Sequence, residues 1–93
     1  MWLFTTSGFF RIIRDVQDPA RHHIRARSLA DLDNLRALLP ALPPPVPSHP
    51  GSDYPYRILC PAALLPEVLT TLAAQVTYPN FKSALSRIPG QRD

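Results

Sequence analysis

The residue types that could do chemistry are few and scattered. His22 and His23 are adjacent, so on a strand their side chains would point to opposite faces. Asp15 and Asp18 could join His22 at a turn as metal ligands, but the spacing matches no dedicated metal motif, and a polar turn is the stronger interpretation. Cys60 has no base placed beside it by the sequence, which favours a buried structural thiol. We therefore predict no catalytic residue, no metal site and no cofactor, and an enzyme is the least favoured function class.

Arginine is the one abundant chemical group. Nine of the ten basic residues are arginines, the net charge is +3, and the isoelectric point is about 9.6. A chain rich in arginine, proline and alanine is typical of GC-rich coding, so the basic charge alone does not indicate nucleic-acid binding.

Three of the arginines fall on one predicted sheet face. Residues 1–14 are rich in aromatic and β-branched residues and predict a central strand, either one long strand bent at Gly8 or two short ones. Residues 22–27 alternate cleanly and predict a second, half-buried strand that returns after a turn at Asp18 and Pro19. Pairing the two in the register that groups apolar residues leaves a mixed face made of Phe9, Arg11, Ile13, His23, Arg25 and Arg27.

This predicted face places Arg11 near Arg25, and like charges opposed across strands are unfavourable. Water, a carboxylate or an anionic ligand must relieve them. A solvated face is the most common answer, a subunit interface comes next because Phe9 and Ile13 would otherwise be exposed, and nucleic acid is third.

The remaining elements have clear boundaries. Ser28 caps a predicted helix that ends near Leu38, before Pro40. Residues 53–60 predict a third strand with Tyr54, Tyr56, Ile58 and Cys60 on one face. A second helix follows, with an irregular start at Pro61 and Pro66. Residues 80–87 can form a short helix, and residues 88–93 are expected to fray.

These elements predict an α+β fold: a two-layer sandwich with a three-stranded or slightly larger, mainly antiparallel sheet and two helices on one face, related to the ferredoxin-like fold. We place the most apolar strand in the centre, giving the order 2-1-3, with the third strand parallel to the second. The predicted core is Phe4, Phe10, Ile12, Ile24, Leu32, Leu35, Ile58, Leu69 and Leu72.

The chain length of 93 residues predicts a single domain. Residues 40–52 are rich in proline and predict a stiff surface connection. A single cysteine excludes an internal disulfide, and neither a membrane span nor a signal peptide is evident, so a cytoplasmic location is the simplest expectation.

Four segments together resemble a known group of sequences: Met1–Thr6, Gly8–Phe10, Asp53–Arg57 and Tyr78–Lys82. They are similar to a family of small uncharacterised bacterial proteins that open with the same aromatic pattern followed by Gly-Phe-Phe. The resemblance spans most of the chain but implies no activity. Ser7 and Arg11 depart from the residues common there, and members tend to continue beyond the point where this sequence stops.

Two function classes follow from these features. The first is a non-enzymatic interaction module that forms a homodimer through the mixed sheet face, because an apolar patch on a small protein usually marks a contact. The alternative is weak nucleic-acid binding, with Arg11, Arg25 and Arg27 contacting phosphates and Phe9 stacking on a base. The sequence identifies no small-molecule ligand and no membrane partner.

Overall fold

The computed structural model of the protein describes residues 1–48 and 51–76. The elements in chain order are strands β1 (Trp2–Thr5), β2 (Gly8–Arg14) and β3 (Arg21–Ala26), helix α1 (Leu29–Leu38), strands β4 (Val46–Pro47) and β5 (Tyr56–Pro61), a 3-10 turn (Ala62–Leu64) and helix α2 (Leu65–Ala73). This five-stranded antiparallel sheet with two helices confirms the predicted α+β class. In the described part of the chain, no helix is both long and apolar enough to cross a membrane. The helix expected over 80–87 and the frayed residues 88–93 lie outside the described residues.

The first fourteen residues form a hairpin rather than one strand. Thr5 pairs with Gly8, so Thr6 and Ser7 make a two-residue turn, and the Thr5 hydroxyl accepts hydrogen bonds from the N–H groups of Ser7 and Gly8. Gly8 has a φ of 153°, and a Cβ atom there would lie 2.6 Å from the side chain of Asp31. Glycine is therefore needed because α1 approaches the backbone closely at this position.

The hairpin changes which β1 side chains face the core. Residues opposite each other in an antiparallel pair share a face, and Trp2 pairs with Arg11 while Phe4 pairs with Phe9. Phe4 is 58% exposed, so its predicted place in the core is wrong. The sequence interpretation carried the alternation of an unbroken strand through Gly8, whereas the two-residue turn moves Trp2 and Phe4 to the opposite face, and Leu3 to the core side.

The strand order is β1-β2-β3-β5-β4, and every pairing is antiparallel. The predicted order, with the first strand in the centre, is therefore wrong, because β2 takes β1 as its second neighbour and β3 becomes the middle strand. The predicted parallel third strand is also wrong. The connection after α1 carries the chain back to the end of β3, where Tyr56 pairs with Ala26.

The core lies between the sheet and the two helices. Leu32 and Leu35 of α1 and Val68 of α2 have no exposed surface, and they pack on the inward residues of β2, β3 and β5. The prediction holds for Phe10, Ile12, Ile24, Leu32, Leu35, Ile58 and Leu72, and Leu69 is half-buried against the same cluster. Burial of these side chains fixes the helices on one side and leaves the opposite sheet surface uncovered by them.

Helix α1 is anchored at its first turn. Ser28 is the N-cap, and its hydroxyl accepts from the N–H of Ala30 at 3.1 Å. Asp31, in the first turn, is 5% exposed and accepts from the N–H of Phe9 at 3.1 Å. A carboxylate at a helix N-terminus is favoured by the helix dipole, and here it also ties α1 to the start of β2.

Residues 40–48 of the proline-rich segment take part in the fold. Leu42 is 2% exposed within the core cluster, and its carbonyl accepts from the Nε of Arg36 at 3.2 Å. Val46 and Pro47 form the short edge strand β4 against β5. A proline is compatible with an edge strand because one side of that strand needs no hydrogen-bond donors.

Candidate anion-binding face of the sheet

The sheet surface opposite the helices, here called the open face, carries three arginines and three aromatic rings. The pairing places on it Trp2 and Phe4 of β1, Phe9, Arg11 and Ile13 of β2, His23 and Arg25 of β3, and Arg57 and Leu59 of β5. The alternation of each strand sends these side chains away from the core. The residues next to them in sequence point to the opposite, buried face of the sheet.

Three arginines form a line across the middle of the open face. Arg11 pairs with Arg25, and Arg25 pairs with Arg57, so the three guanidinium groups, here called the arginine row, come from three adjacent strands. Neighbouring strands lie about 4.8 Å apart, which keeps the three side chains within reach of one ligand. The predicted proximity of Arg11 and Arg25 is confirmed.

The arginine row lacks a compensating charge within the part of the chain that the structure describes. The ion pair there joins Asp15 to Arg21, Asp15 also accepts a hydrogen bond from His23, and neither contact involves the row. The Nε atom of Arg25 is buried without a hydrogen-bond partner among the described residues. Partial desolvation, together with the positive charges of Arg57 and Arg11, lowers the pKa of Arg25 from its usual value. An anion bound beside the arginine row would therefore find several guanidinium N–H donors already close together.

Asp15 organises the polar end of the open face. Its Oδ1 accepts from the N–H groups of Gln17 and Asp18, and its Oδ2 accepts from Arg21 and from the Nε2 of His23 at 2.7 Å. The hydrogen bond from His23, followed by those from the turn and from Arg21, holds the pKa of Asp15 well below its usual value. This carboxylate is thus engaged by the turn, by Arg21 and by His23, and it makes no ion pair with the arginine row.

His23 links this turn to the row. Its Nδ1 lies 2.9 Å from Nη1 of Arg57, and its Nε2 faces Asp15. An arginine can only donate, so Nδ1 accepts and the ring proton is assigned to Nε2. The chain of contacts from Asp15 through His23 fixes the position of one end of the row. An open cleft of about 400 Å³, here called the basic cleft, lies at this end; Arg14, Arg25 and Arg57 line it together with His23 and the Asp15 carboxylate.

Aromatic rings surround the other end of the row. The guanidinium carbon of Arg11 lies 5.8 Å from the ring centre of Trp2 and 5.9 Å from that of Tyr54. The same carbon of Arg27 lies 5.6 Å from the Tyr54 ring. These distances suit cation–π contacts, which hold the arginine side chains beside the rings.

A cavity of about 310 Å³ lies among these rings and is here called the aromatic slot. It is lined by Trp2, Phe4, Phe9, Phe10, Arg27 and Tyr54. Phe4 meets Phe9 edge-on at 5.4 Å, while Trp2 and Phe4 are each more than half exposed. Flat apolar groups held by one another and open to solvent can receive a planar ring from outside.

The six residues predicted as a partner- or anion-binding face come together as expected in space. Phe9, Arg11, Ile13, His23 and Arg25 lie half-buried on the open face, and Arg27 is exposed just beyond β3. Their role in binding stays a prediction.

Sequence reasoning missed Trp2, Phe4 and Tyr54 as members of this surface. For Trp2 and Phe4 the signal in the sequence was Gly8, which is compatible with a hairpin turn just before it. Tyr54 was predicted on the core side, but β5 begins only at Tyr56, after Pro55, so the alternation does not extend back to it.

Cys60 and His22, the other residues that could do chemistry, occupy structural positions. Cys60 is fully buried, its Sγ donates to the Pro61 carbonyl, and burial raises the pKa of the thiol. His22 pairs opposite Cys60 and points away from His23. Within residues 1–48 and 51–76, no three His, Cys, Asp or Glu side chains converge to hold a metal ion.

Comparison of the chain with protein-family models, with curated proteins and with solved structures gives no significant match.

Proposed function

We propose that the protein binds single-stranded nucleic acid on its open face. The observation that carries the proposal is a row of three arginines that no described carboxylate neutralises, placed directly beside exposed stacking rings. Proteins that bind single strands combine a positively charged track for the backbone with aromatic side chains on which bases stack.

The phosphate contacts are assigned to the arginine row and the basic cleft. Guanidinium groups bind phosphate oxygens through paired, charge-assisted hydrogen bonds. Arg57 is held by His23, and Arg11 is held against Trp2 and Tyr54, so the donors lose little conformational freedom on binding. A backbone that follows the row would cross three strands.

The base contacts are assigned to the aromatic slot. Arg11 adjoins both the slot and Arg25, so a base beside Trp2 or Phe4 would have its phosphate near the row. Base–aromatic stacking is worth roughly 1–3 kcal/mol per base and tolerates any base, because each base has a flat face. Binding is therefore expected to show little sequence preference.

Self-association through the open face is the second candidate. The exposure of Trp2 and Phe4 favours it, since apolar surface of this kind commonly marks a contact. The arginine row counts against it, because a two-fold axis that lies in the plane of the contact and crosses the row would bring the row of one copy against the row of the other. We rank it below nucleic-acid binding for that reason.

The test uses the fluorescence of Trp2, the only tryptophan in the sequence. A short oligothymidylate is titrated in low salt, with a duplex of equal length and inorganic polyphosphate as comparisons. The proposal predicts tight binding and a change in Trp2 emission with the single strand, and weaker binding or no emission change with the other two. Equal affinity for polyphosphate with unchanged emission would show that bases are not recognised and would overturn the proposal.

Variants separate the two parts of the site. Arg11→Gln should weaken binding through phosphate contacts, and Phe4→Ala should weaken it through stacking. Arg36→Gln is the matched control, because it removes one positive charge from α1, on the other side of the sheet. Equal losses in Arg11→Gln and Arg36→Gln, with no loss in Phe4→Ala, would mean that net charge alone governs binding, which contradicts a site on the open face.

A further inference from the structure

We infer that β1 is a pairing edge at which two copies of this chain join antiparallel, producing one continuous ten-stranded sheet. This contact differs from the open-face dimer, since it uses the backbone edge of the sheet. It goes beyond the proposed nucleic-acid binding and does not depend on it.

The hydrogen-bond pattern of the hairpin shows which backbone groups point outward. Met1 and Ile12 exchange two bonds: the amino terminus donates to the Ile12 carbonyl and the Ile12 N–H donates to the Met1 carbonyl, both at 2.8 Å. Bonded and non-bonded pairs alternate along an antiparallel ladder, so Trp2 and Phe4 occupy the non-bonded pairs. Their N–H and C=O groups therefore point away from β2, toward the side of β1 where residues 1–48 and 51–76 place no further strand.

The side chains of β1 do not protect this edge. Residues 2–5 contain neither a charged residue nor a proline, and Met1, Trp2 and Phe4 are each more than half exposed. The opposite edge of the sheet is β4, which is two residues long and contains Pro47. Short strands and prolines are the usual protection against edge pairing. The β4 edge has both, whereas β1 has four residues and no proline.

A two-fold axis beside Leu3 gives the register with the most contacts. Trp2 then lies opposite the partner's Phe4, and the two outward-pointing residues of each strand meet their counterparts in bonded pairs. The four rings gather on the open face, where Trp2 and Phe4 already lie 6.3 Å apart. On the helix side, Leu3 lies beside the partner's Leu3, next to an apolar cavity of about 220 Å³ between β1 and α2.

Repulsion between the arginine rows favours a dimer formed through the β1 edges over a dimer formed through the open faces. With the strand order β2-β1-β1-β2 across the contact, Arg11 and the partner's Arg11 are separated by three strand spacings, about 14 Å. That exceeds the screening length of about 8 Å in physiological salt. Stacked sheets lie only about 10 Å apart, with both sets of long side chains filling the gap. The edge contact thus sets the exposed rings of the two copies side by side, leaves the open face above them uncovered, and keeps the arginine rows apart.

Disulfide trapping tests the register directly. Leu3 would face its own counterpart in a non-bonded pair, with Cα atoms about 4.5 Å apart, within the range that a disulfide spans. Leu3→Cys with oxidised glutathione, in the absence of nucleic acid, should give a covalent dimer. Thr5→Cys is the matched control, because two Thr5 positions would lie about 13 Å apart. Equal cross-linking of both variants, or of neither, overturns the inference. Wild-type protein controls for Cys60, which is buried.

Solution mass separates the edge from the face. Phe4→Pro removes an outward N–H while keeping the bonded pairs of β1 with β2, and it should give a folded monomer by light scattering and circular dichroism. Phe9→Glu with Ile13→Lys changes only the open face and should remain dimeric. A monomeric face variant, or wild-type protein that scatters as a monomer at high micromolar concentration, overturns the edge contact. If Phe4→Pro does not fold, the cysteine pair decides.

Discussion

Replacing Arg25 with methionine should stabilise the protein. Arg25 lies between Arg11 and Arg57 in the row, and its Nε is buried without a hydrogen bond from the described residues. Each unfavourable cross-strand pair of like charges costs about 0.2–1 kcal/mol, so removing two of them should gain about 0.4–2 kcal/mol. Methionine keeps an unbranched apolar stem in place of the arginine stem, so packing on the sheet is largely preserved.

The assay is urea denaturation at low and at high salt. The gain should be greatest at low salt and should shrink near 1 M salt, where the screening length is about 3 Å. Arg25→Lys retains the charge and should show no comparable gain. The same methionine variant should bind oligothymidylate more weakly, so stability and binding change in opposite directions. A loss of stability in Arg25→Met, or a gain that salt does not alter, would refute the idea that the row is electrostatically strained.

Three further predictions concern the fold that carries the row. Gly8→Ala should cost about 3–5 kcal/mol in urea denaturation, because it combines backbone strain with displacement of the buried Asp31 hydrogen bond. The pKa of Asp15 is lowered in the folded protein, so its carboxylate stabilises the fold above its unfolded pKa of about 3.9, and this contribution is lost as the pH falls below that value. Asp15→Asn should reduce this loss of stability in an acid titration followed by circular dichroism. Leu42→Ala should cost about 2–5 kcal/mol, whereas the same change at the partly exposed Leu38 should cost much less, and equal costs would contradict a structural role for the proline-rich connection.

The sequence was sufficient for the register of the central hairpin. Ile12 and Ile24 had to share the core side, and once they did, Arg11 had to lie beside Arg25. A shift by one residue would have reversed every side chain, so burial of one face determines the composition of the other. Local capping was equally predictable, because Ser28 and its helix depend only on neighbours in sequence.

The strand order and the membership of the open face depended on less local features. In the sequence, Gly8 is compatible with a bend or with a hairpin turn. The packing of Asp31, from α1, against the Gly8 backbone is a contact between residues distant in sequence, so the sequence pattern did not reveal it. A turn at this position places Trp2 and Phe4 on the opposite face of the sheet and makes β1 the second neighbour of β2. The direction of β5 depends on how far residues 39–55 carry the chain, and an extended proline-rich segment reaches about 3 Å per residue, enough to return along the length of α1.

The salt dependence of oligothymidylate binding tests the central claim most directly. For a single strand, the logarithm of the binding constant falls with the logarithm of salt concentration by about 0.7 for each phosphate neutralised. Three contacts from the arginine row predict a slope of about −2, reduced by about 0.7 in each of Arg11→Gln, Arg25→Gln and Arg57→Gln and unchanged in Arg36→Gln. A wild-type slope near zero, or one that the three row variants leave unchanged, would contradict the assignment of phosphate binding to the open face.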